Sequence, residues 1–294
     1  MYRFLLLLFL FSCGEASEEA PSQFVKEPEK PAPAEVLNNY KQFLELQKDS
    51  ALHTSSAAIE KLKKDFTGQP PHMVDSAIHY FIVFQDSMLK KMEDGFLSHP
   101  AMMDIATNLV FHADSLPQEQ QQFLDSLKRN GFTIAVAEGS GYIVRDWSFI
   151  LKAAGSISTP AMKDYLDQMN KAQKVPLAKD AAIVIKPEEM VDRLMLWERF
   201  NYRHSDFIYK KSAVERHQFL LQVLFRGMDN TPIFTNDGKP NQFYLAAYNH
   251  LLSNYANTTS ANELQPFIEA VQSGNRQKAA QVLREKLRPD NPRP

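Results

Sequence analysis

The chain has 294 residues, 44% of them hydrophobic, with ten glycines, one cysteine and a formal net charge of −2. Charges of both signs are interspersed, which excludes the basic field that nucleic-acid binding requires. A single cysteine excludes an internal disulfide, so the fold must hold by packing alone.

At the N-terminus Arg3 precedes an unbroken apolar run from Phe4 to Phe11, and small Ser12 then precedes Cys13. A positive residue, a short apolar stretch and a small residue make residues 1–12 a secretory signal peptide. Eight apolar residues are too few to cross a bilayer, which takes about 20. The Leu10-Phe11-Ser12-Cys13 pattern resembles the lipobox of bacterial lipoproteins. That resemblance implies that Cys13 carries palmitate or a similar acyl chain and becomes the mature N-terminus. Gly14 stands where an aspartate would signal inner-membrane retention, so the resemblance also implies an outer-membrane anchor. Glu15, Glu18 and Glu19 look like the acidic tract that directs some lipoproteins to the cell surface, and both periplasmic and surface-exposed positions stay open.

Residues 13–35 carry Pro21, Pro28, Pro31 and Pro33 among Glu, Lys, Ala and Ser. Such a segment buries too little apolar surface to offset its ordering entropy and reads as a disordered tether with a reach of roughly 60 Å. From 36 to 288 apolar residues recur mostly at three and four, which predicts a mainly α, multi-helix domain, with subdivision considered near 131 or 186. Residues 289–294 read as a disordered tail.

Within that domain a first helix is expected over 36–66, ended by Thr67-Gly68 and Pro70-Pro71. A second follows over 72–97, with Ile78, Phe81, Ile82, Val83 and Phe84 leaving so little polar face that its middle should be buried all round. A third spans about 101–113. A fourth starts from a Ser115/Gln118 capping box and ends at Gly131.

At Phe132 the period changes to two: Phe132, Ile134 and Val136 alternate with small residues, and Tyr142, Ile143 and Val144 resume after Gly139-Ser140-Gly141. This predicts the one β-hairpin, near 132–145. With Gly139–Gly141 as a three-residue loop, Ile134, Val136, Tyr142 and Val144 share the covered face, against the helices around Phe123 and Leu127 and around Phe149 and Ile150. Asp146 then caps a short helix over 147–154, and Thr159-Pro160 starts another that reaches Lys174. Residues 175–186 read equally as strand or helical turn.

Towards the C-terminus Trp197-x-x-Phe200 is followed by Asp206, and Tyr248-x-x-Leu251 by Asn257, 51 residues later; Tyr40-x-x-Phe43 and Asp49 repeat the spacing. An aromatic-led helix with a polar residue to cap the next resembles tetratricopeptide-like helical hairpins, although the offset departs from their period of about 34. Coincidence among amphipathic helices explains the echo equally well. Ser260 with Glu263 suggests another cap, and Gly274 separates the last helix.

Motifs that would name a reaction are missing. The eight histidines include no H-E-x-x-H pair, so no metal or other cofactor is expected. Gly139-Ser140-Gly141 lacks the spacing of a nucleophile elbow, and the 229–237 loop lacks the alternating acids of an EF-hand. Tyr142, Arg145, Asp146 and Trp147 are the candidate ligand-binding residues, offering stacking and charge beside the hairpin. The plainer reading packs Tyr142 into the core and leaves Arg145 solvated. The expected role is a lipid-anchored binding or scaffold protein of the envelope, held to the membrane by its lipid, with an envelope protein or glycan as partner. The alternatives are an envelope enzyme with a pocket near 132–147 and a glycan-capture lipoprotein.

Overall fold

Helices make up most of the computed structural model, which describes residues 32–47, 52–96, 105, 108–109, 116–137 and 140–286. Helix α1 (Pro33–Leu46) places Val36, Tyr40 and Leu44, four residues apart, on one buried face. It starts inside the segment read as tether, because proline suits the first helical turn, where a backbone donor has no partner to lose. Helix α2 (Thr54–Phe66) follows, so the single helix expected over 36–66 is two. An unbroken rod would hold Tyr40 and Phe66 roughly 40 Å apart at 1.5 Å per residue. Folding back instead sets their rings edge to face at 5.6 Å and lets the Tyr40 hydroxyl donate to the Ala58 carbonyl at 3.1 Å.

Helix α3 (Pro71–Phe96) matches its expected span. Val74, Ala77, Ile78, Phe81, Ile82, Phe84 and Met88 are buried, but Val83 is 49% exposed, so the middle of this helix is not buried all round. One stripe stays wet because α1, α2 and the hairpin cover only the others. Of the helix expected over 101–113, only Ile105, Asn108 and Leu109 are among the described residues, and all three are helical. Helix α4 (Gln118–Arg129) begins behind Pro117 with no side-chain cap at that position, and Ser115 of the expected Ser115/Gln118 capping box lies outside the described residues. Gly131 ends it as expected. Its φ is +76°, and a Cβ there would lie 2.4 Å from the Phe149 ring, so both backbone conformation and close approach require glycine.

Strands β1 (Phe132–Ala137) and β2 (Ser140–Arg145) form the expected antiparallel hairpin, in a different register. Ala137 pairs with Ser140, so only residues 138 and 139 lie between the strands, and Gly141 sits inside β2 opposite Val136. Phe132, Ile134 and Val136 therefore share a face with Arg145, Ile143 and Gly141, while Tyr142 and Val144 turn to the other side. A one-residue slip exchanges the two faces of a strand, and burial of Phe132 and Ile143 selects this alternative. Helices α3 and α4 cover that face. Ile143→Asp is accordingly expected to destabilise the fold by about 3 kcal/mol or more, and Val136→Asp, at a position 36% exposed, by under about 1 kcal/mol. Urea melts of the two variants check this, and equal midpoints would overturn the register.

Asp146 caps α5 (Trp147–Ala154), accepting from the Ser148 N–H at 2.8 Å, and Thr159 caps α6 (Pro160–Lys174), both as the residue types predict. The ambiguous stretch resolves into a two-residue hairpin, β3 (Ala178–Lys179) and β4 (Ala182–Ile183), turned through Asp180 and Ala181 at positive φ. Helices α7 (Pro187–Arg203) and α8 (Lys210–Arg226) pack as an antiparallel pair. Gly227 closes α8 and opens a third hairpin, β5 (Gly227–Met228) with β6 (Thr231–Pro232), so the described chain holds three hairpins where one was expected. The two extra hairpins dock together: the Asn230 N–H donates to the Ala181 carbonyl at 3.1 Å, and the Ile183 N–H to the Thr231 hydroxyl at 2.9 Å. Local alternation in strands of two residues is too short to be read in advance.

Helices α9 (Gln242–Tyr255), α10 (Thr259–Gln272) and α11 (Arg276–Lys286) complete the chain. The aromatic-led positions Tyr40, Trp197, Phe200, Tyr248 and Leu251 are all buried. Asp206 and Asn257 do not cap the next helix, since Tyr209 precedes α8 and Thr258 caps α10; Asp49 lies outside the described residues. Ser260 falls within the first turn of α10, and Pro266 within the helix. One continuous set of buried side chains runs from Val36 in α1 to Ala279 in α11, crossing both 131 and 186. Among the described residues no helix is long and apolar enough to cross a membrane.

Candidate functional site

Of the four residues singled out beside the hairpin, Arg145 and Trp147 meet, while Tyr142 and Asp146 lie apart from them. Arg145 is 9% exposed and Tyr142 is 42% exposed, the reverse of the plainer reading, because the observed register turns Arg145 inward with Ile143. Three of its five guanidinium donors are engaged. Nε donates to Gln85 Oε1 at 2.8 Å, and Nη2 donates to the Ile82 carbonyl at 2.8 Å and to Asp86 Oδ1 at 2.5 Å. The Trp147 ring lies under it at 5.0 Å, and Gln173 clamps the Arg145 carbonyl and the Trp147 N–H at 2.6 and 3.1 Å. Trp147 in turn meets Tyr165 edge-on, within an aromatic group that includes Trp197, Phe200 and Tyr209. Asp146 caps α5 and borders a separate shallow hollow of about 440 Å³ beside Lys63, Lys128 and Lys152. The expected pocket of these four is thus a structural junction, in which Arg145 ties the end of β2 to α3. Cys13 lies outside the described residues.

A better-formed concavity lies elsewhere, in a cleft of about 400 Å³ between α7, α8, α10 and α11. Val214, Leu221 and Phe225 of α8 supply its apolar lining, and Tyr202, 89% exposed, stands at its edge. Glu198 of α7 and His217 of α8 form a wall together with Thr259 at the start of α10. Glu198 serves as a cap supplied by another helix. Its carboxylate accepts from the Thr259 N–H at 2.9 Å and the Ser260 N–H at 3.0 Å, and from the Ser260 hydroxyl. Thr258 Oγ1 takes the Ala261 N–H at 3.3 Å, and the Thr258 carbonyl takes the Asn262 N–H at 3.1 Å, so all four leading donors of α10 are satisfied.

Burial alone would raise the Glu198 carboxyl. The neighbouring His217 ring, the Ser260 hydroxyl and the two backbone N–H groups outweigh it and hold the group at about 2. The same geometry fixes the proton arrangement. Ser260 has one proton and commits it to Glu198, so its oxygen accepts from His217 Nε2–H at 2.8 Å. A serine, a histidine and an acid meet here, but the histidine donates to the serine instead of taking its proton, and Ser260 is fully buried. The arrangement locks α7, α8 and α10 together.

Two further described histidines have similar local duties. His250 Nε2 meets Asp192 Oδ1 at 3.0 Å beside the Tyr255 hydroxyl at 2.7 Å, which ties α7 to α9, and His79 Nδ1 lies 3.1 Å from the Tyr209 hydroxyl. His99 and His112 lie outside the described residues. Among the described residues no group of three or more His, Cys, Asp or Glu has the geometry to hold a metal ion.

Sequence reasoning missed the cleft because its residues come from four helices spread over positions 198–286, with no short-range spacing to mark them. The one partial signal was Ser260, read as a cap of its own helix, whereas Thr258 performs that role and Ser260 is held by Glu198. No protein-family model, curated protein or solved structure matches the chain.

Proposed function

We propose that this protein is a lipid-anchored binding or scaffold module of the bacterial cell envelope, held at the outer membrane through Cys13, with the α7/α8/α10/α11 cleft as its ligand site. The cleft carries the reading. It is preformed on packed helices and combines an apolar lining with a few polar groups at its rim, the usual make-up of a small-ligand site. Binding is favoured over catalysis by the proton arrangement at Ser260, where the histidine donates to the serine, and by Arg145, whose Nε and Nη2 are spent on α3.

Two experiments test the two halves of the proposal. For the anchor, Cys13→Ala should abolish metabolic labelling with a fatty acid and release the protein from membranes, since one acylated terminus supplies the only attachment invoked. Label persisting in the variant would refute it. For the site, a photo-crosslinking residue in place of Gln222 should give a defined adduct in intact cells, while the same residue in place of Lys171, exposed on α6, should give none. Equal labelling from both positions would remove the cleft from consideration.

A further inference from the structure

We propose that the cleft takes a short peptide of about two or three residues with free termini and an apolar side chain. This rests on the reading of the cleft as a binding site and adds the class of ligand. Of the four Glu and Lys residues that line the cleft, Glu198 holds the start of α10 and Lys210 donates to the Asn201 carbonyl; the other two are Glu263 on α10 and Lys286 on α11. Both are half-buried, and among the described residues neither makes a hydrogen bond or an ion pair, with each other or with anything else. Partly desolvated charges without partners are unfavourable in the empty protein and become favourable when a ligand brings the complementary charge. One of each sign asks for a zwitterion: an ammonium for Glu263 and a carboxylate for Lys286.

The uncharged groups favour a peptide over a free sugar. Gln218 and Gln222 stand one turn apart on the same face of α8, both half-buried in the cleft, and neither amide has a partner among the described residues. Each offers one acceptor and two donors, the complement of a peptide N–H and carbonyl. Leu221 and Phe225 behind them provide an apolar wall for a side chain. The volume of about 400 Å³ lies at the small end of ligand sites, which admits a few residues and excludes a folded partner.

Calorimetric titration of the full chain in detergent tests this, using the tripeptide Ala-Phe-Ala, its N-acetylated and C-amidated form, and chitotriose as probes. Ala-Phe-Ala should bind. Capping both its termini should weaken binding by about tenfold or more, as should Glu263→Gln or Lys286→Met, with melting temperatures no lower than the parent's for both variants. Binding of chitotriose without the tripeptide would overturn the ligand class and leave the cleft a binding site. Equal affinity for free and capped tripeptide would overturn the pairing with Glu263 and Lys286. A chain ending at Lys286 is the further control. Tripeptide binding to it but not to the full chain would assign the cleft to residues 287–294 and overturn the proposal, and no binding of any probe to either chain would overturn the cleft as a site altogether.

Discussion

Arg145→Ala is expected to lower the stability of the folded protein by about 3 kcal/mol, whereas Asp86→Asn, which removes the opposite charge of the same ion pair, should cost under about 1 kcal/mol. The asymmetry follows from burial. Asp86 is 59% exposed and regains water when its partner is lost, so the ion pair itself contributes little. Arg145 is buried, and truncating it strands the fully buried Gln85 Oε1 and removes a donor from the Ile82 carbonyl. The Ile82 carbonyl keeps its helical Asp86 N–H, but the orphaned Gln85 acceptor costs about 1–3 kcal/mol, and the contact with the Trp147 face adds about 0.5–2 kcal/mol. Urea unfolding of the two variants beside the parent measures the contrast. A loss under about 1 kcal/mol for Arg145→Ala would show that the guanidinium is not structural and return it to the candidate ligand groups.

Acid should expose the second large effect. The Glu198 carboxyl is held at about 2 against an unfolded value of 4.5, so the folded state favours its ionised form. A depressed carboxylate stabilises the fold above its unfolded value and loses that stabilisation as pH falls towards its folded value. The contribution, about 3 kcal/mol, should therefore be complete above about pH 4.5 and disappear between there and about pH 2. Glu198→Gln keeps the shape but not the charge. It should be less stable than the parent by about 2–3 kcal/mol at pH 7, with the difference closing as the pH approaches 2. Melting curves across that range decide the matter, and a gap independent of pH would mean that the charge of Glu198 does not hold the start of α10.

These two residues also mark where local reading stops. The ends of helices were legible because each depends on residues within about four positions. Asp146 and Thr159 accept from the first turns of α5 and α6, and Gly131 and Gly274 take positive φ at helix ends. The mainly α class was legible for the same reason, since the spacing of apolar residues fixes a helix before any neighbour arrives. What each element faces was not. The 36–66 stretch has helical periodicity throughout, and only the meeting of Tyr40 with Phe66 and Ala58 shows why it must fold back. The hairpin admits two registers on alternation alone, and burial of Ile143 against α3 and α4 chooses the one that sends Arg145 inward and Tyr142 outward.

Sequence alone thus determined which segments become helices and where most of them stop. Tertiary structure alone decided which polar groups are spent in holding the fold and which remain unpaired at a cleft. A side chain's partners lie tens of residues away along the chain: Arg145 finds Gln85, Glu198 finds Ser260, and Gln218, Glu263 and Lys286 come to one hollow from three helices. Capping and periodicity are short-range and written locally, whereas burial and charge pairing exist only once the helices have packed.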